Sequence, residues 1–145
     1  MKNLFLTLII SFTVHAYSDV YTVKLLNQGA EGIMVFEPSF LNIAVGDTVN
    51  FEATDAAHNS ASIQGMVPDG ATTWSGALSK DISITFDTPG IYGYECTPHS
   101  MMAMVGLIRV GGSNINLNEI KNVAAIKKSS FVMNKDRLDN YISKI

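Results

Sequence analysis

Ile82-Ser83-Ile84-Thr85-Phe86 alternates apolar and polar side chains. That period of two is the mark of a strand buried on one face, and it fits no helix. Comparable short runs recur along the chain, each stopped by turn residues. Val20 to Leu26 is strand-like. Phe40 to Val45 alternates and closes at Gly46-Asp47, and Thr48 to Ala53 follows at once, which predicts a hairpin. Thr88-Pro89-Gly90 marks a turn before a strand over Ile91 to Glu95. Val105 to Val110 is the last run, closed by Gly111-Gly112. Short strands at this spacing predict an all-β sandwich or barrel over residues 19–112.

After Gly112 the period changes. Asn116 followed by Glu119 resembles a capping box, and Leu117, Ile120 and Val123 or Ala124 recur at helical spacing. A second segment, from about Lys135 to Lys144, places Leu138, Tyr141, Ile142 and Ile145 on one side. Residues 113–145 are therefore expected to form two short helices. Helices of this length are marginal alone, so they must pack on the sandwich. A chain of 145 residues suits one such core.

The first residues read as a signal to be removed. Lys2 precedes an apolar run, Leu4 to Val14, broken only by Thr7, Ser11 and Thr13. Val14-His15-Ala16 offers small residues for cleavage, with Ala16-Tyr17-Ser18 as a second site. That layout predicts a secretory signal peptide over residues 1–16, or 1–18 for the second site. A membrane anchor fits less well, because the run is about half the ~20 residues a spanning helix needs. No other stretch is long enough to span. The net charge of −3 argues against nucleic acid as a partner. The charge is also uneven: residues 19–112 hold three bases against ten acids, and residues 113–145 hold six bases against three acids.

Export makes the single cysteine informative, since it has no partner for an internal disulfide. Cys96 lies in Cys-x2-His-x4-Met with His99 and Met104, between the last two strands. His58 lies upstream, just past the Thr48–Ala53 strand. One thiolate, two imidazoles and one thioether suit copper, and a His2Cys set with a weak axial Met is the blue-copper arrangement. Calcium or magnesium would need oxygen ligands. Cys-x2-His alone would serve zinc too, but zinc normally takes more thiolates, or three imidazoles and water. Four protein ligands leave no open position for a substrate, which argues for an electron carrier rather than an enzyme. An oxidase or nitrite reductase would need a second, histidine-rich copper site. Besides the two candidate ligands the chain has only His15. Copper storage or delivery is the alternative function, favoured by the Met-rich loop Met101-Met102-Ala103-Met104.

Five stretches stand out together: Gly32-Ile33-Met34-Val35-Phe36-Glu37-Pro38, Gly46-Asp47-Thr48-Val49, His58-Asn59, Met66-Val67-Pro68-Asp69-Gly70 and Cys96-Thr97-Pro98-His99. With them the chain resembles the pseudoazurins, cupredoxins of the bacterial periplasm. The resemblance runs from about Val23 to the C-terminal helices. It implies an eight-stranded Greek-key sandwich with two short helices and one copper ion per chain cycling between Cu(I) and Cu(II). It also implies one-electron shuttling between periplasmic redox enzymes, often in denitrification. The family's ligands carry over to His58, Cys96, His99 and Met104, and the spacing from His99 favours Met104 over Met102. Asn59 is expected to tie the two ligand loops together. Met34, Pro98, Met101 and Met102 are expected to form an apolar patch around His99, where a redox partner such as a copper nitrite reductase or a cytochrome would dock. The chain is expected to be a monomer. One feature departs from the family: the lysine ring around that patch is replaced by Gln28, Ala56, Gln64, Ser75, Ala77 and Glu95.

Overall fold

Residues 17–145 are described by the structure, a computed structural model. The expected signal peptide, residues 1–16, lies outside the described residues. Eight strands and two helices follow in order: β1 Val20–Gly29, β2 Gly32–Glu37, β3 Phe40–Ile43, β4 Thr48–Glu52, β5 Ala61–Ser62, β6 Ile82–Thr85, β7 Gly90–Glu95, β8 Val105–Val110, α1 Leu117–Lys128 and α2 Arg137–Ile142. The strands form two four-stranded sheets, ordered β2-β1-β4-β6 and β3-β8-β7-β5. This is the expected eight-stranded sandwich with two C-terminal helices. No helix among the described residues is long and apolar enough to cross a membrane.

The predicted hairpin between β3 and β4 does not form. β3 runs parallel to β8 in one sheet, and β4 runs parallel to β1 in the other. The reason is the chemistry of Asp47. Its carboxylate accepts the backbone N–H groups of Ala44 at 2.8 Å and Asp19 at 2.8 Å. A turn held this way carries the chain between sheets instead of folding it back within one. Gly46 supplies the positive φ of 92° that the corner needs.

Side chains on successive strand positions face opposite ways, and β7 and β8 use both faces. Tyr92, Tyr94, Ile108 and Val110 point between the sheets, where they meet Val23, Leu25, Phe36, Val49, Phe51, Trp74 and Phe86. Ile91, Val105 and Leu107 point the other way, onto Ile120, Ala124, Phe131, Leu138 and Tyr141 of the C-terminal segment. Strands covered on both faces read as continuous apolar runs, which is why these two show no alternation. Within the main core the Tyr94 ring meets Phe36 at 4.8 Å and Phe51 at 5.0 Å, both edge to face. Such pairs add to the stabilisation from burial. They anchor the end of β7 that leads into Cys96.

The helices sit where the periodicity placed them, but the capping box is absent. Asn116 makes no side-chain cap to α1. Its amide instead brackets Ile91, accepting the Ile91 N–H at 2.8 Å and donating to the Ile91 carbonyl at 2.8 Å. A buried side chain with two such partners gains more by pairing with a neighbouring strand than with its own helix.

Candidate metal centre

Two loops at one end of the sandwich carry the candidate residues. β4 leads to His58, β7 ends one residue before Cys96, and a 3-10 turn over Thr97–Met102 carries His99 before the chain enters β8. The loop closes on itself through its backbone. Cys96 N–H donates to the Met104 carbonyl at 3.0 Å, and Met104 N–H donates to the His99 carbonyl at 3.3 Å. Short 3-10 turns make such a tight return possible.

The donor atoms converge. Cys96 Sγ lies 3.3 Å from His99 Nδ1 and 3.6 Å from His58 Nδ1, and the two Nδ1 atoms are 3.1 Å apart. His58, Cys96 and Met104 are fully buried, and His99 is half-buried. Met104 lies in the main core beside Cys96. Met102 is half-buried.

The chemistry of this donor set fits a metal ion. His58 Nε2 lies 2.9 Å from Asn27 Oδ1, which accepts only. Nε2 therefore carries the proton, and Nδ1 presents a lone pair to the centre. Burial pushes the His58 imidazole below its ordinary range, helped by the neighbouring His99 and opposed by Asp55. A neutral imidazole is the form that binds metal. Burial pushes the Cys96 thiol up, against the pull of the Asn59 and His99 backbone N–H groups, while the Glu95 charge adds to the rise. A thiol held protonated in this way loses its proton when a metal arrives. The separations among His58 Nδ1, His99 Nδ1 and Cys96 Sγ would admit one ion at bond lengths like zinc's, about 2 Å to nitrogen and about 2.3 Å to sulfur.

Asn59 ties the loops as expected. Its Oδ1 accepts Thr97 N–H at 2.8 Å, and its Nδ2 donates to Gly76 O at 2.9 Å and to Thr97 Oγ1 at 3.2 Å. Asn27 was not legible as the His58 partner. It lies 31 residues upstream in β1, and no local pattern joins the two positions. Of the residues expected to form the apolar patch, Pro98 and Met101 are exposed, and Met34 and Met102 are half-buried. Gln28, Ala56, Gln64, Ser75 and Ala77 are exposed, so their uncharged side chains face solvent. Glu95 differs, being turned inward and paired with Lys127 at 2.6 Å.

Residues 23–111 match the family model for copper binding proteins of the plastocyanin/azurin family, which defines the class of this fold and site. The chain is 38% identical over 140 residues to a pseudoazurin of Methylorubrum extorquens, covering 97% of this chain and 91% of that protein. It is 33% identical to a pseudoazurin of Paracoccus pantotrophus, covering 94% and 91%. The crystal structure of native pseudoazurin from Hyphomicrobium denitrificans matches with a TM-score of 0.78 at 35% identity, over 87% of this chain and 98% of that one. The chain belongs to the pseudoazurins, copper electron carriers of the cupredoxin family and not enzymes.

Proposed function

We propose that this protein shuttles single electrons between periplasmic redox proteins, using one copper ion held by His58, Cys96, His99 and Met104. The convergence of Cys96 Sγ with two imidazole Nδ1 atoms, 3.1 to 3.6 Å apart, carries this reading. Bound copper supplies the Cu(I)/Cu(II) couple. The protein keeps its donors nearly fixed: Asn27 orients His58, Asn59 locks the two loops, and the Cys96–Met104 backbone bonds fix the span between ligands. Donors that stay still suit both oxidation states and reduce the rearrangement each transfer requires. His99 turns Nδ1 inward, towards Cys96 and His58, and is itself only half-buried, in a turn whose Pro98 and Met101 are exposed. His99 is the port for the electron. Copper delivery would favour exposed, exchangeable ligands, and three of these four are fully buried.

Met104 would supply the thioether to the bound ion. Met104→Gln should retain copper and lower the reduction potential, because a harder oxygen donor favours Cu(II). Met102→Gln should leave the potential nearly unchanged. Voltammetry of both variants decides the matter, and a larger shift from Met102→Gln would reassign the ligand.

A partner enzyme of denitrification, such as a copper nitrite reductase, or a cytochrome would dock on the apolar patch around His99. The rim offers no exposed lysine at the six ring positions, and charge steering needs exposed charge. Electron-transfer rates with the physiological partner should therefore change little, or rise, between about 10 mM and about 150 mM salt, where the screening length falls from about 30 Å to about 8 Å. Stopped-flow kinetics across that range test this. A steep fall in rate with salt would place a basic docking surface elsewhere on the protein.

A further inference from the structure

The four residues between His99 and Met104 are each held by the C-terminal segment. Lys127 Nζ donates to Ser100 Oγ at 3.1 Å. Val132 N–H donates to the Met101 carbonyl at 2.8 Å. Asn134 Nδ2 donates to the Met102 carbonyl at 3.4 Å, and Arg137 Nη1 donates to the Ala103 carbonyl at 2.9 Å. The sandwich alone does not set this span.

Lys127 stands out within the strap because it also carries charge to the site. It sits in the last turn of α1 and forms an ion pair with Glu95 at 2.6 Å. Only 16% of the Lys127 side chain and 18% of the Glu95 side chain are exposed. Among the described residues, Lys127 is the only cation paired with Glu95. Glu95 immediately precedes Cys96, and Ser100 immediately follows His99. One ammonium group thus grips both flanks of the segment that carries two candidate ligands. A carboxylate drawn this far out of water acts strongly on nearby charge, since the surroundings screen it little. Left alone, it would favour the more positive oxidation state of the centre.

We propose that Lys127 is a positioning residue that sets the reduction potential of the copper centre. It holds the Cys96–Ser100 segment through Glu95 and Ser100, and it cancels the Glu95 charge. The inference rests on the copper reading given above. It also accounts for a glutamate replacing a ring lysine at position 95: the charge is answered from the helix rather than from solvent.

The test is voltammetry and thermal unfolding of four copper-loaded variants. Lys127→Met removes the ammonium and leaves Glu95 unanswered. The Cu(II)/Cu(I) ratio at a fixed applied potential should shift about tenfold towards Cu(II), which is about 59 mV for one electron. Lys127→Arg should stay close to the parent. Glu95→Gln alone should shift the ratio the opposite way, which keeps the idea testable even if Lys127→Met folds poorly. Lys127→Met combined with Glu95→Gln should recover most of the shift. The proposal is overturned if Lys127→Met lowers the unfolding temperature without moving the potential, if the double variant keeps the full shift, or if Glu95→Gln leaves the ratio unmoved. Failure of the copper reading is distinct, because the parent protein itself would then show no one-electron copper couple.

Discussion

Cys96→Ser is expected to abolish the intense visible absorption of the copper-loaded protein. The thiolate is the only soft anionic donor in the cluster, and the colour of such a centre comes from charge transfer between sulfur and Cu(II). A serine hydroxyl of similar size sits in the same buried position, but at neutral pH it does not ionise as a thiol bound to metal does. The fold should survive, because Cys96 sits beside Tyr94 and Met104 in a core that a serine side chain does not overfill. Unfolding curves of the copper-free variant and its parent should therefore lie close together while their copper spectra differ completely. Retention of the visible band in Cys96→Ser would remove the cysteine from the site.

Arg137→Ala is expected to cost about 3 kcal/mol of stability, since stranded buried polar groups carry costs of this order. Arg137 is 7% exposed, and its guanidinium serves four backbone carbonyls: Met34 at 2.8 Å, Ala103 at 2.9 Å, Ile33 at 3.2 Å and Glu31 at 3.3 Å. Two of them belong to non-glycine residues with left-handed backbones, Met34 at φ 49° and Ala103 at φ 57°. Such conformations are unfavourable for residues with a Cβ and persist where the surroundings hold them. Removing the guanidinium strands the carbonyls and frees both strained positions together. For a domain of this size the melting temperature should fall by roughly 10 °C. Arg137→Lys should recover only part of the loss, because a single ammonium cannot span the fork of acceptors. A melting temperature unchanged in Arg137→Ala would mean that water satisfies these carbonyls equally well.

Cys96 and Arg137 differ in how plainly the sequence shows their roles. The alternation of Ile82–Phe86 announced a half-buried strand, and the structure has β6 there. The triad Cys96, His99 and His58 was legible because loop residues beside strand ends must converge when the strands pack. Asn59 was legible for the same reason, since a side chain next to a ligand has few other places to point. The β3–β4 hairpin misled because Gly46-Asp47 has the composition of a hairpin turn, yet the Asp47 carboxylate is spent on Asp19 and Ala44. Arg137 reaches Met34 across 103 residues, and Lys127, in the last turn of α1, reaches back past β8 to Glu95. Both would pass for ordinary exposed helix cations in the sequence. Only packing of the helices over β7 and β8 decides that they turn inward.

That packing changes the view of the basic tail. Its surplus of positive charge is partly answered within the fold: Lys127 is committed to Glu95, and Lys128 pairs with Asp136 and Asp139. Lys128 and its partners lie near solvent, so this pair adds little to stability. Its effect is to leave less free positive charge near the copper end.

A redox titration of the purified protein loaded with Cu(II), followed in the visible range, tests the copper centre itself. One copper per chain is expected, with an intense band that bleaches with one electron equivalent and returns fully on reoxidation with no metal released. A protein that binds copper without that band, takes up two electrons per chain, or loses the metal on reduction would contradict a single copper centre held by His58, Cys96, His99 and Met104.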